Sequence, residues 1–125
     1  MSDKASFSSA AFAYDRLIAG DADDLIGRKV TLASGQSLVR GALLGKITTG
    51  GKYTLSLAVS NDGSQTPDVV LAEDCDATTA DAEALVYVRG DFNASAVTFG
   101  TGHTATSVRD GLRSKGIFLI DVQGA

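Results

Sequence analysis

The stretch Gly45-Lys-Ile-Thr-Thr-Gly-Gly-Lys52 comes nearest to a phosphate-binding loop. Such a loop needs a glycine, four residues, then Gly-Lys and a Ser or Thr whose hydroxyl holds magnesium. Gly50 stands where the second glycine belongs, but Lys52 comes one place late and Tyr53 replaces the hydroxyl residue. A tyrosine there opens a strand, so no helix N-terminus would face a phosphate. The single histidine, His103, lies in Gly100-Thr-Gly-His-Thr104. As a general base it would need a nucleophile to activate, and the chain has no Gly-x-Ser-x-Gly elbow. It reads as a turn residue ahead of a helix. The single cysteine, Cys75, sits among Glu73, Asp74, Asp76, Asp81 and Glu83. Zinc asks for several Cys and His ligands, and a calcium loop asks for a glycine among alternating acids. Neither pattern is present, so this segment reads as a solvated acidic loop, with no metal and no cofactor expected. Asn93-Ala-Ser95 is a formal glycosylation sequon that carries no weight without a secretion signal.

The elements that would position these residues are mostly strands and turns. Lys29–Leu32 alternates as a strand, and Ser34–Ser37 is a turn. Leu38 to Ile47 is a second strand broken by Gly41 and Gly45, where a bulge or bend is expected. Thr49–Lys52 is a hairpin turn. Tyr53, Leu55, Leu57 and Val59 fall on one face of a strand running to Val59. Asn61–Ser64 is a turn, Val69–Ala72 a short buried strand and Ala84–Val88 the most apolar strand. Asp91–Ala94 turns into a strand over Ala96–Phe99. Thr104 to Lys115 fits a helix capped by Thr104, with Ala105, Val108 and Leu112 on one face and Gly116 as its stop. Ile117–Ile120 is a last buried strand. Fourteen glycines against the single Pro67 favour many turns.

With 125 residues the chain is one domain's worth of sequence and needs no staples. Residues 1–27 read as an N-terminal arm ending in the acidic link Asp21–Gly27, and 28–125 as the β-rich domain. The arm holds Phe7, Phe12 and Tyr14, three of the eight Phe and Tyr residues. Rigid aromatics bury large area at low entropic cost, so Phe7, Phe12, Tyr14, Leu17 and Ile18 are the candidate residues for gripping a partner. A frayed terminus is the plainer reading of the same segment. The net charge is −4 and the eleven basic residues are scattered, which argues against direct nucleic-acid binding. No apolar run approaches the roughly 20 residues of a membrane span. The lone cysteine and the lack of a secretion signal suit synthesis in a cytoplasm.

An ordered set of blocks carries a family resemblance. These are Arg28-Lys-Val-Thr-Leu32, Ser34-Gly-Gln36, Arg40-Gly-Ala-Leu-Leu-Gly-Lys-Ile47, Gly51-Lys-Tyr53, Asp62-Gly-Ser-Gln65 and Val69-Val-Leu-Ala-Glu-Asp74. Ala84-Leu-Val-Tyr-Val-Arg-Gly-Asp-Phe-Asn93 and Leu112-Arg-Ser-Lys-Gly-Ile117 complete it. The set resembles the bacteriophage (lambda-like) head decoration protein family. The resemblance implies a mainly β fold, a bent, clip-like ribbon or incomplete barrel with one short C-terminal helix and a flexible N-terminal arm. It implies a non-enzymatic capsid cement that binds the major capsid protein as a homotrimer on the outer surface of an expanded head and stabilises the virion. The competing reading is a small-molecule or carbohydrate-binding β module, for which Tyr53, Tyr87 and Arg89 are the candidate pocket residues.

Overall fold

Alternation of apolar and polar residues builds the longest ladder in the molecule. β1 (Ile26–Leu32) runs antiparallel to β7 (Ala82–Asn93), with Val30 opposite Ala84 and Leu32 opposite Ala82. The computed structural model describes residues 17–19 and 25–121. Between these strands lie β2 (Gln36–Leu38), β3 (Leu43–Lys46), β4 (Tyr53–Leu55), β5 (Pro67–Leu71) and β6 (Cys75–Ala77). The pairing order β1-β4-β3-β5-β7, closed by β1 on β7, makes a five-stranded barrel. β2 and β6 form a separate two-stranded ribbon. After β7 come a 3-10 turn (Ala94–Ala96), the helix α1 (Ala105–Arg113) and β8 (Ile117–Ile120), which pairs parallel with the far end of β7. Among the described residues, the expected mainly β fold with one C-terminal helix is what forms.

Two apolar clusters result. The barrel interior holds Leu32, Leu44, Tyr53, Val69, Leu71, Ala84 and Val86. The alternate residues of the same strands, Leu43 and Val70, face outward into a second cluster with Phe92, Val108, Leu112, Ile117 and Leu119. The period-two rule thus lets β3 and β5 serve both cores. α1 buries Val108 and Leu112 against this outer wall, as its helical spacing requires. Thr104 Oγ1 accepts from the Ser107 backbone N–H at 3.1 Å, and the Ser107 hydroxyl accepts from the Thr104 N–H at 2.9 Å. This reciprocal cap fixes the helix start. Gly116, at φ 88°, adopts the left-handed conformation that lets the chain reverse into β8.

Glycine 45 marks the bulge expected in β3: the register with β5 shifts between Leu44 and Gly45. A Cβ there would lie 2.0 Å from the Ser64 carbonyl oxygen, so only glycine lets the 62–66 loop cross so close.

Four local expectations fail in the folded chain. The strand from Tyr53 ends at Leu55, because Ser56 is drawn under the 62–66 loop and the chain turns at Leu57–Ser60. Val59 is 82 % exposed at that turn instead of sharing a face with Tyr53. Asp91–Asn93 continues β7 rather than turning, because β8 and the segment Leu17–Ala19 complete its hydrogen bonds on both edges. Of Ala96–Phe99 only Thr98 pairs, as a parallel bridge to Ala42. β8 is buried on one face alone: Ile117 and Leu119 are inside, while Phe118 and Ile120 face out.

Candidate functional site

The residues nominated for chemistry are used to hold loops. Gly45–Lys52 is the β3–β4 hairpin, with Lys46 opposite Tyr53, and a strand rather than a helix follows it. His103 lies before α1 as expected, but its Nε2 sits 3.2 Å from Ser56 Oγ and 3.1 Å from the Gln65 carbonyl oxygen. A carbonyl only accepts, so Nε2 carries the proton and is not free to take one from Ser56. Ser56 is fully buried and donates its own hydroxyl to the Ser64 carbonyl at 2.6 Å. The pair therefore clasps the 62–66 loop to the 100–104 turn. Nothing in the local sequence marks Ser56; only the folded chain brings it to the histidine.

The acids around Cys75 are also bound up in loop geometry. Asp74 accepts from the Arg40 N–H at 2.8 Å, and Asp76 accepts from the N–H and hydroxyl of Thr78. Asp81 accepts from the Ser34 N–H at 2.9 Å and pairs with Lys52 at 2.6 Å. These partners hold Asp76 and Asp81 below the usual carboxylate range, through Thr78 and Lys52 respectively. Burial, and then the neighbouring Asp76, push the Cys75 thiol up, which keeps it protonated and weakly nucleophilic. Among the described residues no three His, Cys, Asp or Glu side chains gather as a metal site, and no helix is long and apolar enough to cross a membrane.

Tyr53, Tyr87 and Arg89 do not converge. Tyr53 belongs to the barrel interior, whereas Tyr87 packs on the outer cluster. The Tyr87 ring lies 5.5 Å from that of Phe92 and beneath the Arg40 guanidinium, whose Nη1 donates to the Tyr87 hydroxyl at 2.8 Å. Arg89 is exposed, its stem against Gly116.

The chain enters the domain along one edge of β7. Ala19 N–H donates to the Asp91 carbonyl at 2.9 Å and Asn93 N–H to the Leu17 carbonyl at 2.8 Å, with Ile18 bridging Phe92. Leu17 is 2 % exposed within the outer core, and Ile18 packs against it. Two of the five residues nominated to grip a partner thus fasten the chain to its own domain. Among the described residues Leu17 and Ile18 join the outer core, and β1 starts at Ile26. Phe7, Phe12 and Tyr14 lie outside the described residues. On the opposite edge of β7, β8 presents Phe118 and Ile120, 39 % and 40 % exposed. Arg109 reaches over β8, donating Nε to the Leu119 carbonyl at 3.2 Å and pairing with Asp121 at 3.1 Å.

No curated protein matches the chain. The family profile described as Bacteriophage lambda head decoration protein D matches residues 6–117, which takes in the barrel, α1 and the segment ahead of Leu17, and stops at the first residue of β8. With 112 of its 125 residues inside that match, the chain belongs to the phage lambda head decoration protein family.

Proposed function

We propose that the protein is a capsid cement that binds the outer surface of an expanded phage head as a homotrimer, contacts the major capsid protein and stabilises the shell. It is a structural component of the virion, made in the host cytoplasm, and not an enzyme. The family match over residues 6–117 carries this reading. In it, Phe7, Phe12 and Tyr14 bury against the shell, while Leu17 and Ile18 hold the gripping segment to the domain. A segment that adds a strand to a neighbouring sheet edge gains backbone hydrogen bonds and side-chain pockets together. Three such segments on one trimer raise the effective concentration of each, so weak single contacts hold firmly in combination. A net charge of −4 disfavours loss to non-specific DNA contacts.

The test is to mix the full chain, and a chain lacking residues 1–16, with expanded undecorated shells and count bound copies. The full chain is expected to saturate near the number of shell subunits, and the truncated chain to stay folded but bind poorly. A full chain that leaves the shells bare overturns the cement reading. A truncated chain that coats normally overturns the role of Phe7, Phe12 and Tyr14.

A further inference from the structure

One mouth of the barrel carries a polar group of residues that the cement reading does not use. Lys46 lies opposite Tyr53 on β3 and β4, and so shares its face. Arg28 and Val88 continue the inward series of Val30 and Leu32 on β1 and of Ala84 and Val86 on β7. With Asp68, Val69 and Lys115, these residues line a cavity of about 360 Å³, at the small end of ligand-pocket sizes.

The charge count in this cavity is uneven. The Asp68 carboxylate is already answered: Lys115 Nζ lies 3.0 Å from Oδ1, and the Tyr53 hydroxyl donates to Oδ2 at 3.1 Å. The Tyr53 hydroxyl in turn accepts from Arg28 Nη2 at 3.1 Å. Arg28 and Lys46 form no ion pair among the described residues. Two cations, both on exposed residues, thus remain unneutralised at a concave spot on a chain whose net charge is −4. Tyr53 is itself only 3 % exposed, so its ring forms a rigid floor that keeps water from beneath. Scattered surface lysines avoid one another; cations that share a cavity favour an anion between them.

We propose that the barrel mouth binds a phosphate group, held by the Arg28 guanidinium and the Lys46 ammonium. A doubly charged phosphate matches the two unanswered cations, and the planar fork of arginine suits two of its oxygens. Lys115 and Asp68 position the site by fixing the Tyr53 hydroxyl beside it. The inference is independent of the cement reading, because it is tested on the free protein.

The experiment titrates inorganic phosphate into the full chain at neutral pH and constant ionic strength, with chloride as the balancing salt, and follows backbone amide resonances. Glycerol phosphate in a parallel titration distinguishes an esterified source from the free ion, and acetate serves as a singly charged control. Saturable shifts are expected at Arg28, Lys46, Tyr53 and Lys115. Arg28→Gln and Lys46→Met should each weaken binding about tenfold or more, the loss of one charged hydrogen bond. Asp68→Asn should tighten it by removing a repelling carboxylate. Tighter binding of either phosphate form identifies the source. The proposal falls if neither form gives saturable shifts, if acetate binds as well as phosphate, or if the Arg28 and Lys46 variants bind like the parent.

Discussion

The barrel interior and the outer core are built from the same strands yet are closed by different means. The barrel is sealed by backbone pairing around a ring, from β1 to β7. The outer core is sealed by three separate pieces laid against one wall: α1, β8 and the entering segment Leu17–Ala19. A ring opens only when a whole ladder breaks, whereas a piece laid on a wall can lift alone. The outer layer is therefore the adaptable half of the molecule and the barrel its fixed frame. β7 belongs to both, through Ala84 and Val86 in one core and Phe92 in the other.

The sharpest way to break this contrast is Phe92→Ala. Phe92 is fully buried where the entering segment, Tyr87 and the outer core meet. Truncating a buried phenylalanine costs about 3–5 kcal/mol, and denaturant unfolding should show the midpoint falling accordingly. Leu17→Ala should cost about 2–5 kcal/mol by the same cavity mechanism. Its effect should be local: hydrogen exchange at the Asn93 amide, which donates to the Leu17 carbonyl, should speed up while the β1–β7 amides stay protected. Equal loss of protection in the barrel would mean that the two cores do not open separately. Thr104→Ala removes the cap of α1 and should cost about 1 kcal/mol, visible as a small drop in thermal midpoint with barrel exchange unchanged.

The smallest effect reports on the barrel alone. Burial first, and then the Asp68 carboxylate, hold the Tyr53 hydroxyl above its ordinary value of 10.0, against the opposing pull of Arg28. The folded state therefore keeps this proton more tightly than the unfolded chain does. That contribution to stability is complete below pH 10.0 and disappears as the pH climbs through the raised folded value. Stability measured across alkaline pH should fall in that window, and Tyr53→Phe should flatten the fall.

Local signals made much of the frame readable. The Thr104 cap, the Val108–Leu112 spacing and the Gly116 stop placed the helix. The interrupting glycines placed the break at Gly41 and the bulge at Gly45. What local patterning could not show is where long-range partners override it. Asp91–Asn93 looks like a turn because Asp and Asn favour turns in isolation, yet two flanking segments distant in sequence supply the hydrogen bonds that keep it extended. Val59 looked buried because alternation says nothing of where a strand stops. Leu17 looked available to a partner because its neighbours are arm-like in composition, and only its place beside β7 shows it packed at home. At the barrel mouth Arg28, Lys46 and Lys115 lie far apart along the chain, and closure of the ring brings them to one cavity.

The antiparallel seam between Leu17–Ala19 and β7 has a mechanical meaning. Its two hydrogen bonds run crosswise to the strand, so tension drawn along the strand axis from the residues before Leu17 loads both in shear at once, and neither can unzip ahead of the other. The load passes into a strand twelve residues long that is braced by the closed ring at one end and by β8 at the other. A tug on the leading residues is thus shared between the two seam bonds and handed on to a braced strand.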